Sequence, residues 1–134
     1  MNLQLSLKRQ WFLLTESEIK KEDYREVTPY WYARLVRRSR LASIKKAQLS
    51  FWISQLNNQE ALAIRNLPNL NEIFSGCFNE FTTNIMTLGY PPKTDESRIL
   101  RYEHAGIEIR TGNPEWGAEP NKLYFVIKHG KRIN

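Results

Sequence analysis

Ser17-Glu18-Ile19-Lys20-Lys21-Glu22-Asp23-Tyr24-Arg25-Glu26-Val27-Thr28-Pro29-Tyr30-Trp31 holds two lysines, an arginine, four carboxylates and two tyrosines, and ends on a tryptophan. Read as a strand from about Ile19 to Val27, it alternates sides. Lys20, Glu22, Tyr24 and Glu26 then face one way, and Lys21, Asp23 and Arg25 the other, with Ile19 and Val27. Neither set is a clean apolar face. A sheet segment charged on both sides needs polar partners or a ligand for one of them. Lys20 with Asp23 and Arg25 is the polar constellation singled out here. An amine beside a carboxylate can bind a base edge, orient water or move a proton. The plain alternative is an ion-pair ladder on a strand surface, which contributes little.

Working outward, Leu3, Leu5 and Leu7 alternate with polar residues and read as a half-buried strand. The period then changes. Leu7, Trp11 and Leu14 share a helical face, which gives a helix over about Lys8 to Glu16. After the charged strand, Pro29 sits where a helix begins, with Thr28 as its N-cap. Its inward face is Trp31, Leu35 and Val36, and Arg34, Arg37 and Arg38 project outward. Ser39 to Phe74 reads helical, with Leu49, Trp52, Ile53 and Leu56 at amphipathic spacing. From Phe78 the texture becomes strands: about Phe78 to Leu88, Ser97 to Arg110 with a bend at Ala105-Gly106, and the apolar Leu123 to Lys128. Strands at both termini around a helical middle suggest a mixed sheet that curls into a barrel.

The chain is 134 residues long, enough for one ordinary domain. Cys77 is its single cysteine, so no internal disulfide forms and a reducing, cytoplasmic setting is expected. The longest apolar run is too short to cross a bilayer, so no membrane partner is expected. His104, His129 and Cys77 lack metal-ligand spacing, and no phosphate-binding glycine loop or nucleophile elbow occurs. No metal or cofactor is therefore expected.

The formal net charge is +6. Between Val27 and Gln59 no acidic residue occurs, while Arg34, Arg37, Arg38, Arg40, Lys45 and Lys46 do. That concentration is the electrostatic footprint expected of a polyanion site, nucleic acid in particular, whether RNA or DNA. A solvated basic helix, or a helix that meets a protein partner, has the same composition. Lys8 adds charge, and Trp11 offers a ring for base stacking. Trp116, beside Glu115 in an irregular loop, is the tryptophan read as exposed, whereas Trp31 and Trp52 are read as packed.

Leu5-Ser6-Leu7-Lys8, Gln10-Trp11-Phe12, the charged stretch and Gly112-Asn113-Pro114-Glu115-Trp116-Gly117-Ala118-Glu119-Pro120 together resemble a small ASCH-domain protein of the bacterial and phage type. The likeness spans about residues 3–36 and 78–130. It implies an α+β fold over the whole chain: a single-domain PUA-like β-barrel with an N-terminal helix and a helical insertion at about residues 39–75. It also implies a cleft for RNA or a nucleotide. The family pattern is a glycine, a lysine two residues on, then an acidic or hydroxyl residue and an arginine. Lys20, Asp23 and Arg25 match it, and Glu18 stands at the glycine position, where a turn with positive φ would be strained.

Ribonuclease relatives imply chemistry from Lys20, Tyr24 and Arg25. Lys20 would stabilise charge at the phosphate, Arg25 would position it, and Asp23 or Tyr24 would assist proton transfer. The amidohydrolase branch, which deacetylates modified cytidine, has threonine where this chain has Asp23. A protein-binding module that blocks a host factor through the basic insertion is the remaining alternative.

Overall fold

The computed structural model describes residues 1–38 and 76–134. The expected insertion, with Arg40, Lys45, Lys46 and Trp52, lies outside the described residues. The fold is mixed α+β. The chain runs β1 (Asn2–Leu7), α1 (Arg9–Glu16), β2 (Glu22–Glu26), α2 (Pro29–Leu35), β3 (Thr83–Leu88), β4 (Ile99–Thr111) and β5 (Leu123–Arg132). The five strands form a sheet in the order β1-β3-β4-β5-β2. It is mixed: β1 runs parallel to β3, and β3 runs antiparallel to β4. Two compact units divide the chain.

The first unit comprises Met1–Asp23, Glu80–Gly106 and Ile127–Asn134. Its logic starts with the alternation of β1, which buries Leu3, Leu5 and Leu7 and leaves their neighbours in water. Each such leucine contributes roughly 1.5–3 kcal/mol by leaving water. In β3 the inward positions are Asn84 and Met86, and in β4 they are Leu100 and Tyr102, paired with them in register. Phe12 and Thr15 are the buried face of α1.

The end of α1 explains Lys20. Ser17 keeps helical dihedrals, and Glu18 turns to φ 63. Glu18 N–H donates to Thr15 O, and Ile19 N–H donates to Leu14 O. This is the two-bond αL helix ending known as the Schellman motif, with Glu18 at the position that glycine most often fills. Lys20 N–H also donates to Leu14 O, at 3.0 Å, so the cap fixes where Lys20 begins. A left-handed non-glycine residue costs about 1–2 kcal/mol, and glycine's larger entropy in the unfolded chain gives back about 0.5–1. Glu18→Gly is therefore expected to raise stability by about 0.5–1 kcal/mol. Urea melts check this; an unchanged or lower midpoint would refute the strain.

The second unit comprises the described part of Tyr24–Asn79 together with Ile107–Val126. Thr28 caps α2 by accepting from Trp31 N–H at 3.3 Å, with Pro29 at the first turn. Leu35 is buried as the pattern implies, but the helix ends there: Val36 is extended and buried in a bridge to Phe78, so Arg37 and Arg38 lie beyond the helix rather than on its outer face. Trp31 is only half-buried. The Arg25 and Arg34 guanidinium carbons stand 4.9 and 5.0 Å from its ring centroid, and the Tyr30 ring meets it edge-on at 5.3 Å. Phe78 meets Phe125 edge-on at 6.1 Å. Gly112 is required by close approach: a Cβ there would lie 2.6 Å from Tyr24 Cε1 and 2.7 Å from Ala118 Cβ.

Candidate functional site

Lys20 is 2% exposed and Asp23 6%. Strict alternation from Ile19 would put them on opposite faces. The strand begins only at Glu22, so Lys20 belongs to the segment between the cap and the strand, and its side chain reaches forward to the strand start. Its Nζ donates to Asp23 Oδ1 at 3.1 Å and to Glu22 O at 2.8 Å. Burying this amine is tolerable because a carboxylate and a carbonyl receive its protons.

Lys20 also lines a cavity of about 470 Å³, with Glu18, Lys21, Tyr102, His129 and Gly130. Small-molecule sites span roughly 300–1,000 Å³. Tyr102 contributes a wall rather than a donor, because its hydroxyl donates to Thr15 O at 2.8 Å. Burial pushes that phenol above its ordinary range. The Tyr102 and His129 rings stand 5.8 Å apart.

Behind this wall lies a network that sequence reasoning missed. Asn84 is 0% exposed. Its Nδ2 donates to Lys128 O at 3.1 Å and to His129 Nδ1 at 2.8 Å. Its Oδ1 accepts from His104 Nδ1–H at 2.7 Å. The assignment follows from Lys128: a carbonyl only accepts, so the amide nitrogen must face it. His129 Nδ1 then accepts, which puts the proton of the neutral ring on Nε2. His104 carries its proton on Nδ1. Among the described residues, His129 Nε2 is buried without a hydrogen-bond partner. A signal was present in Asn84, a polar residue that shares the inward strand face with the apolar Met86.

Burial is the main reason that His129 falls from 6.5 to about 4; Asp23 opposes the shift, and Lys20 and His104 reinforce it. His104 is lowered by burial and by Lys128. Both groups have folded pKa values below their unfolded ones, so between about pH 6.5 and 4 the unfolded chain binds more protons. Their contribution is complete above pH 6.5 and is lost as pH falls toward 4. His129 alone is expected to remove about 3 kcal/mol across that window. Urea unfolding at half-unit pH steps checks it; a flat midpoint between pH 7 and 4.5 would contradict a neutral, buried His129.

The other expected site residues lie as follows. Tyr24 packs against Ala118, Tyr124 and Val126, and its hydroxyl accepts from Asn113 N–H at 2.8 Å. Arg25 lies over Trp31. Arg34 is exposed and donates to Tyr30 OH at 2.7 Å. Arg37 is half-buried and donates to Phe78 O at 3.0 Å, while Arg38 is exposed. Lys8 is the exposed N-cap of α1, and Trp11, one turn on, is half-buried. Glu115 is exposed, and Trp116 is half-buried in a short 3-10 turn (Pro114–Trp116). The first unit thus brings together Lys20 and Asp23, and the second gathers Arg25, Tyr30, Trp31 and Arg34. Lys21, Tyr102 and His129 were missed as cavity residues because chain-distant strands supply two of them.

Among the described residues, no group of three His, Cys, Asp or Glu side chains gathers to hold a metal ion. No helix among them is long and apolar enough to cross a membrane. No family model, curated protein or solved structure matches this chain.

Proposed function

We propose that this protein binds RNA or a nucleotide, and that the cavity beside Lys20 takes an unstacked base or a nucleotide end. The observation that carries this reading is a ligand-sized hollow with a buried amine, an exposed lysine, a tyrosine wall and a histidine in its lining. The resemblance to ASCH domains gains support from Glu18. The residue at that family's glycine position adopts φ 63, and a buried lysine follows two residues on. A PUA-like barrel with a helical insertion at residues 39–75 is the architecture proposed with it. Arg34, Arg37 and Arg38, with Arg40, Lys45 and Lys46, would supply phosphate contacts.

RNA hydrolysis is the second reading, favoured by the Lys20–Asp23 pair in direct contact. Such a cut would need no metal, persist in chelator and vanish in Lys20→Ala.

Titration of a labelled single-stranded RNA, and separately of UMP and AMP, tests the binding. Affinity for the RNA should fall with salt by a log–log slope of about −0.7 per phosphate contact. Lys21→Glu, at an exposed position that leaves the fold intact, should weaken both ligands about tenfold. No saturable binding of RNA or of either nucleotide would end the proposal.

A further inference from the structure

A second hollow, of about 350 Å³, lies on the outer face of β1, β3 and β4. The inward residues there are Leu3, Leu5 and Leu7 of β1, Asn84 and Met86 of β3, and Leu100 and Tyr102 of β4. The alternate residues form this other face. Register places Gln4 beside Ile85 and Ile85 beside Arg101, with Thr87 beside Ile99 one pair further on. These five side chains floor the hollow, and Tyr90, Pro91 and Lys93 wall it.

The wall is held in place rather than hanging loose. Thr87 Oγ1 donates to Gly89 O at 2.8 Å, and Arg98 donates to Leu88 O at 2.7 Å. Asp95 N–H donates to Pro92 O at 3.0 Å, which closes the turn. Against that anchored backbone the Tyr90 side chain is 93% exposed. A large aromatic ring in water, over a floor containing Ile85 and Ile99, is a ready stacking surface. Arg101 lies at its edge, aligned by two hydrogen bonds to Glu96 at 2.6 and 3.2 Å. Lys93 in the wall is exposed, whereas Asp95 of the same turn accepts from Ser97 Oγ at 2.6 Å and does not line the hollow.

We infer that this outer sheet face is a second nucleotide subsite, where one base of a bound single strand stacks on Tyr90 and its phosphate meets Lys93. The inference rests on the RNA-binding reading and extends it from a mononucleotide cavity to a strand-binding surface. A flat heterocycle suits the ring and isoleucine floor, because every base has a π-face whatever its sequence. An anionic linkage suits exposed Lys93, which lines the hollow while Asp95 and Glu96 do not, and the Gln4 amide offers both a donor and an acceptor to a base edge. An acidic peptide would match the charge but would leave the exposed ring without a planar partner.

The test uses the full chain, a labelled hexauridylate and UMP. Tyr90→Ala should weaken the hexanucleotide about tenfold, Tyr90→Phe should keep wild-type affinity, and Tyr90→Trp should equal or exceed it. Lys93→Glu should weaken it several-fold and lower the salt slope by about one contact. Both positions are exposed, so the variants should fold; matching circular dichroism spectra would show it. UMP, held in the Lys20 cavity and sensitive to Lys21→Glu, should be unaffected by either change. Hexanucleotide affinity unchanged in Tyr90→Ala and Lys93→Glu, yet reduced in Lys21→Glu, overturns this subsite and leaves the cavity reading intact. Failure of the wild-type protein to bind either probe overturns both.

Discussion

An Asn84→Ala variant is expected to lose about 3–5 kcal/mol of stability, a large share of what a domain of this size possesses. The reason is the number of groups it strands. Asn84 serves His104 Nδ1, His129 Nδ1 and the Lys128 carbonyl at once. Each buried polar group left without a partner costs about 1–3 kcal/mol, and the three share one site, so the sum is less than additive. The amide also fixes both ring tautomers, which separates this account from simple packing. Asn84→Asp keeps the shape and the acceptor for His104 but replaces the two donors by an anion. His129 should then hold its proton to higher pH, and the fall in stability from pH 6.5 to 4 should shrink or reverse. Urea midpoints for the two variants across that range provide the check. Losses below about 0.5 kcal/mol in both, with an unaltered pH profile, would show that the network is incidental.

Lys20→Ala is expected to cost about 3–5 kcal/mol as well, because it leaves Asp23 buried without its cation. The pair is more informative than either member. Lys20→Met with Asp23→Asn removes both charges while keeping much of the volume. That double variant should be more stable than the summed single changes imply, by about 2 kcal/mol of coupling. Strict additivity would show that the 3.1 Å contact carries no energy. If the double variant folds yet binds neither RNA nor UMP, the amine is kept for its ligand rather than for stability. Buried ion pairs seldom exceed hydrophobic replacements in stability, which makes that outcome the expected one.

The charged stretch shows where sequence reading succeeds and where it stops. Its composition required polar partners or a ligand for one side, and Lys20 and Asp23, read as facing opposite ways, are buried against each other. Its periodicity misplaced Lys20, because a two-residue period was carried back through a helix cap. The positive φ of Glu18 belongs to the ending of α1, and no glycine or asparagine in the chain there announces it. Thr28 and Pro29 were legible: a cap involves neighbours along the chain, so its chemistry is all local. Asn84, His104 and His129 were not, although each is present in the sequence. Nothing local says that residues 20 and 45 positions apart share one amide.

The order of residues alone therefore determined the alternation of β1, the bounds of α1, the cap that starts α2, the basic excess and the need to neutralise the second strand's charges. These follow from side-chain period, capping and Coulomb's law, all of which act within a few residues. Strand order, the tautomers of the two histidines and the hollow beside Lys20 were decided only by tertiary structure. They depend on which distant strands become neighbours, and that choice is made by the summed burial of the whole core rather than by any one segment.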